Sequence, residues 1–138
     1  MKYYKRGVMK ILVGIASKNV EEHTIDLALK HAIHFDAKVY LLTSLEGGRS
    51  TSEKEVEKAE RGLKYVEGIF QKAGILCETH LLIRGNTPEI DILEFAQERE
   101  MDEIIVGARK RSPVGKALLG SVTQSVSLGA TCPVVLVK

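Results

Sequence analysis

Tryptophan is absent from this 138-residue chain, and aromatic residues make up only 5 % of it. A platform for single-stranded nucleic acid needs rings interleaved with cations, so the sequence excludes that class of partner. Charge of one sign is also scarce: the net charge is +2, and outside one loop basic residues alternate with acidic ones. Cysteine appears twice, at Cys77 and Cys132, with no C-x-x-C spacing and no histidine at ligand distance beside either. Both therefore read as free, buried thiols at strand starts of an intracellular chain. No apolar run nears the ~18 residues that cross a bilayer, and no signal-peptide core is visible. The expectation is a cytoplasmic protein with no membrane and no nucleic-acid partner.

What the chain does have is a concentration of cations and glycines in one place. From Gly107 to Thr123 it reads G-A-R-K-R-S-P-V-G-K-A-L-L-G-S-V-T. The preceding E-I-I-V-G is a β-branched run that reads as a buried strand opening at Gly107. Ser121 starts a helix, and Gln124, three residues on, completes a capping box. Backbone N–H groups at a helix start, the positive end of its dipole, and Arg109, Lys110, Arg111 and Lys116 nearby together favour a bound anion. A Walker A loop fits poorly, because G-x4-G-K-[ST] ending at Gly115-Lys116 requires glycine at Lys110 and a hydroxyl at Ala117. Position favours a ligand over a merely solvated basic surface, since open α/β sheets hold ligands between strand ends and helix starts.

The segment resembles the nucleotide-binding signature of the universal stress protein family, G-x2-G-x9-G-[ST] after the fourth strand. Gly107 matches the first glycine and Gly120-Ser121 the last pair, while Lys110 stands where the second glycine belongs. The resemblance implies that Gly107, Gly120, Ser121, Val122 and Thr123 surround the ribose and phosphates of ATP, with Arg109, Lys110, Gly115 and Lys116 in the same loop. ATP-binding members of that family carry an acid just after the first strand, where K-I-L-V-G-I-A-S places Ala16. The adenosine half of the site is thus expected to be weaker than the phosphate half. The resemblance covers about Met9 to Lys138 and leaves residues 1–8 as an extension. It implies an open parallel sheet of order 3-2-1-4-5, with Ile15 and Ala16 facing Gly107 and Ser121 across a crevice and Ser44 near the base. It also implies ATP or AMP as ligand, with or without Mg²⁺, and a homodimer through the last strand, Pro133 to Val137, an apolar edge otherwise open to pairing.

The periodicity alone supports a single α/β domain, five strands alternating with four helices on both faces of a parallel sheet. Strands are expected at Lys10–Ile15, Lys38–Leu45, Leu76–Ile83, Glu103–Gly107 and Pro133–Val137. The first helix runs from about Glu21 to Phe35, and Ser52 with Glu55 caps a second whose buried stripe is Val56, Ala59, Leu63, Val66 and Phe70. Thr87 caps a third, with Pro88 at its first position and Ile90, Ile92, Leu93 and Phe95 packing it. The last spans about Val122 to Leu128, with Gly129 as C-cap. His31 and His34 lie beside and opposite an apolar stripe and read as solvated or capping; His80 has no visible partner.

Three functions remain open: a nucleotide-binding regulatory protein of the stress response, a weak ATPase, and a nucleotide-free dimer acting through protein partners. Catalysis has little support, because no carboxylate lies in the basic loop and Ala16 occupies the acidic position, so no general base can be named. The acid needed by a phospho-receiver is missing at both Ile15-Ala16 and Ile83-Arg84, and A-S-K-N replaces the S-G-G-x-D-S loop of pyrophosphatase-type enzymes.

Overall fold

The computed structural model describes residues 7–111 and 117–138, with 109–111 and 117–118 described by their backbone. Five parallel strands form one sheet: β1 (Lys10–Gly14), β2 (Lys38–Leu45), β3 (Cys77–Ile83), β4 (Glu103–Gly107) and β7 (Val134–Val137), in the order β3-β2-β1-β4-β7. This is the expected order 3-2-1-4-5. Between β4 and β7 lie two short antiparallel strands, β5 (Arg109–Arg111) and β6 (Ala117–Leu119). The segment expected to be loop throughout is therefore partly a hairpin, a pairing that its cations gave no reason to anticipate.

Side chains of β1 alternate between two cores, because successive residues of a strand point to opposite faces. Ile11 and Val13 join Ile25, Ala28 and Ala32 of α1 (Glu22–Phe35) and Leu63, Val66 and Phe70 of α2 (Glu53–Lys72). Leu12 points the other way, toward Ile92, Phe95 and Ala96 of α3 (Pro88–Glu98) and Val126 of α4 (Ser121–Gly129). Central strands buried on both faces account for the near-continuous apolar runs of β1, β2 and β4. Phe70 is fully buried, and its truncation to alanine would cost roughly 3–5 kcal/mol.

Local chemistry sets the helix ends. Ser52 Oγ accepts from the Glu55 amide at 3.2 Å, as its cap position requires. Thr87 occupies the cap of α3 with Pro88 inside the first turn, but its hydroxyl makes no capping bond. Gly85, at φ +77°, turns the chain ahead of it and donates its amide to Glu46 O at 2.8 Å. The cap of α4 is Gly120 rather than Ser121, and Gln124 donates to Leu119 O instead of closing a capping box. Gly129 is the last helical residue, not the cap; Ala130 ends the helix in extended backbone. Gly129 serves packing: a Cβ there would lie 2.8 Å from Leu93 Cδ1, so a small residue lets α3 and α4 approach.

Several side chains depart from expectation. Ile90 is 43 % exposed while its neighbour Asp91 is fully buried, because the turn at Arg84–Asn86 supplies Asp91 with partners. His31 is held by Glu103 at 2.8 Å across the α1–β4 interface, and His80 bonds Glu78 at 3.1 Å beside the rings of Tyr40 and Phe95. Neither Cys77 nor Cys132 forms a disulfide, as expected, but both are only half-buried. Burial pushes the Cys77 thiol up to about 12, with Glu67 and Glu78 adding to it. Among the described residues no helix is long and apolar enough to cross a membrane.

Candidate functional site

The order of the strands creates the site. β1 and β4 are neighbours whose connections run to opposite sides of the sheet, and their carboxyl ends part at this reversal. Strand β1 stops at Gly14, where a Cβ would already stand 3.0 Å from Val106 Cγ1. Ile15 then leaves the sheet, tied to β2 by its amide to Leu42 O at 2.8 Å and by Thr43 Oγ1 to its own carbonyl at 3.0 Å. Beyond it opens a crevice of about 310 Å³. Ile15 and Ala16 line it from the segment just after β1, Ser44 from β2, Gly107 from β4, and Val122 and Thr123 from the first turn of α4. Six of the residues expected at the site thus converge across four separate elements.

Gly120 and Ser121 begin the helix that closes the crevice without lining it. Gly120 has ordinary extended backbone, and a Cβ there would meet only Thr123 Oγ1 at 4.0 Å, so its smallness leaves open space at the helix start. Thr123 locks that helix to the floor by donating to Gly107 O at 2.9 Å. Gly115 and Lys116 lie outside the described residues, as do the side chains of Arg109 and Lys110, whose backbones form β5.

Ser44 does more than line a wall. Its hydroxyl donates to Asp91 Oδ2 at 2.6 Å, and the other oxygen of Asp91 accepts from Arg84 Nη2 at 2.9 Å and Asn86 Nδ2 at 3.0 Å. Burial by itself would raise the Asp91 pKa; donation by Ser44, Asn86 and Arg84 outweighs it and holds the carboxyl below its ordinary value. A charged, saturated carboxylate therefore pins the end of β2 to the start of α3. By strand alternation, the backbone N–H and C=O of Ser44 point like those of Leu42, toward the β1 side, where β1 has already ended.

One residue that sequence reasoning missed stands on the floor itself. Glu21, which caps α1, places Oε2 only 2.7 Å from where a Gly107 Cβ would be, with Thr24 Oγ1 at 3.4 Å from the same oxygen. Glu21 is the one acid among the described residues lining the crevice. A signal existed: Thr24 precedes Ala28 by one turn on the buried stripe of α1, so a polar side chain there must face a polar surface. No group of three or more metal-ligating side chains occurs among the described residues.

The chain matches the model of the universal stress protein family over residues 7–138. A universal stress protein of Methanocaldococcus jannaschii is 32 % identical, over 98 % of this chain and 82 % of that one. A universal stress protein structure from Archaeoglobus fulgidus superposes with a TM-score of 0.85 at 35 % identity, covering 94 % of this chain and 98 % of its own. A further A. fulgidus structure, of the universal stress protein in complex with dAMP, is 30 % identical with a TM-score of 0.77 and the same coverage.

Proposed function

The chain belongs to the universal stress protein family, and on that premise we propose that it is a cytoplasmic regulatory protein that binds ATP or AMP in the crevice between β1 and β4. The observation that carries this reading is the crevice itself, at the reversal of strand order, with an apolar floor at one end and a helix N-terminus at the other. The base lies against Ile15 and the open backbone edge of Ser44, where an N–H and a C=O side by side match the N1 acceptor and amino donor of adenine. The methyl of Ala16 adds apolar surface but no hydrogen bond. Gly107 and Gly120 let the chain approach sugar and phosphates, the first turn of α4 faces the phosphates through Ser121 to Thr123, and Arg109, Lys110 and Lys116 neutralise them. The A. fulgidus relative in complex with dAMP supports an adenine nucleotide as the ligand class.

Binding rather than turnover is the proposed activity, because among the described lining residues the single acid is Glu21, which sits on the floor. Mg²⁺ would reach the site on the phosphates of ATP. The outer edge of β7, which no strand among the described residues pairs, supports a homodimer through Pro133–Val137, since an apolar edge strand otherwise presents unpaired backbone. Ligand binding would stabilise one conformation of that dimer for a protein partner to read. Calorimetric titration of nucleotide-stripped protein with Mg-ATP, AMP and inorganic triphosphate tests the reading. Saturable binding of ATP and AMP is expected; no heat with any of the three would leave the nucleotide-free dimer.

A further inference from the structure

Glu21 is unexplained by a phosphate-binding crevice, since a carboxylate repels the very group that the start of α4 attracts. Its place resolves the contradiction. Along the floor the order is Ser44 on β2, Ile15 after β1, then Gly107 at the end of β4, two strand spacings or about 10 Å in all. A base on the Ser44 and Ile15 side and phosphates beyond Gly107 leave the sugar over Gly107, where Glu21 Oε2 lies. Gly107 has no Cβ to fill that spot, and one would stand 2.7 Å from the oxygen. An ionised carboxylate only accepts hydrogen bonds, and the sugar hydroxyls are the donors a nucleotide offers at that point. Thr24 Oγ1, 3.4 Å away, leaves the carboxylate free to take a better donor.

Resting on the nucleotide reading above, we infer that Glu21 accepts a hydrogen bond from the ribose 2′-hydroxyl, so that the crevice selects ribonucleotides over 2′-deoxyribonucleotides. Glu21 stands five residues beyond Ala16 and supplies, from the helix cap, an acid the chain lacks at the strand end. As a cap its side chain accepts no helix amide, and its one bond to α1 is the long one from Thr24 Oγ1, so replacing it should leave α1 intact.

The test compares AMP with 2′-deoxy-AMP by calorimetry in EDTA at fixed ionic strength, for wild type, Glu21→Gln and Glu21→Ala, with circular dichroism melts to verify the fold. Wild type is expected to bind AMP about tenfold more tightly than 2′-deoxy-AMP, the worth of one charge-assisted bond. Glu21→Ala should bring AMP down to the level of 2′-deoxy-AMP and change the latter little, with Glu21→Gln in between. Equal affinities in wild type would overturn the inference while leaving nucleotide binding in place. Tighter binding of both ligands by Glu21→Ala would reduce Glu21 to a source of repulsion, and an effect seen only when Mg²⁺ replaces EDTA would make it a metal ligand; either outcome refutes ribose recognition. Failure of wild type to bind either nucleotide would overturn the nucleotide reading and this inference with it.

Discussion

Replacing Asp91, which holds Ser44 from behind the crevice wall, should cost more than any polar change in the wall itself. Its carboxylate is fully buried and accepts from Ser44 at 2.6 Å, Arg84 at 2.9 and 3.3 Å, and Asn86 at 3.0 Å. Hydrogen bonds to a charged group are worth about 1.5–3 kcal/mol each, which for three partners suggests more than ~5 kcal/mol. Two effects reduce that. Removing the carboxylate recovers the several kcal/mol spent on its burial, and Arg84, whose side chain is 45 % exposed, rehydrates when its partner is lost. The buried Ser44 hydroxyl cannot, so Asp91→Ala should lose about 2–3 kcal/mol, or about 6–15 °C in Tm for a domain of this length. Asp91→Asn keeps the shape and loses the charge, so a smaller loss is expected. The pH dependence has a definite sign. Asp91 titrates below its ordinary 3.8 in the folded state, so its contribution is complete above that value and is lost as pH falls through the folded pKa. Urea midpoints for wild type and Asp91→Asn from pH 7 to pH 3 would show a constant gap that closes at the acid end. A loss under ~0.5 kcal/mol for Asp91→Ala, or a gap that widens toward acid, would refute the assignment of this network as the pin between β2 and α3.

Other changes separate the site from the scaffold. Gly107→Val would push side-chain carbons into Glu21 and the buried Thr24 Oγ1, 3.3 Å from the Cβ position; calorimetry should show nucleotide affinity falling at least ~10-fold at a stability cost of about 1–3 kcal/mol, and retained affinity would move the ligand off the floor. Cys77, pushed up to about 12 by burial, should resist iodoacetamide at pH 8 until the protein is unfolded, and alkylation at the rate of a free thiol would contradict its placement. In β7 the amides of Val135 and Val137 face β4, so that of Leu136 faces the free edge; Leu136→Pro should shift sedimentation from dimer to monomer with the circular dichroism spectrum retained, and an unchanged dimer would place the seam elsewhere.

Much of the scaffold was legible because its signals are local. Strand and helix periods follow from residues within one element, Ser52 caps α2 through a residue three positions away, and Gly107 marks a strand end by its own sequence neighbours. Where a local signal misled, a partner outside the element had taken over. Ser121 reads as a cap, but Gly120 takes that position and Gln124 turns back to Leu119; His31 reads as solvated, but Glu103 lies 2.8 Å away once α1 packs beside β4.

The candidate site divides in the same way. The sequence by itself determined the order of elements, the apolar faces that force a doubly covered parallel sheet, and the basic, glycine-spaced stretch after β4, because each is a property of neighbouring residues. Only the tertiary structure decided that Glu21 lies on Gly107, that Ser44 is held by Asp91 from 47 residues away, and that the basic stretch is part hairpin. Those pairings depend on which strand ends part at the reversal of sheet order and on how closely α1 and α3 pack over them. Such distances are set by the assembled core, and no short-range pattern encodes them.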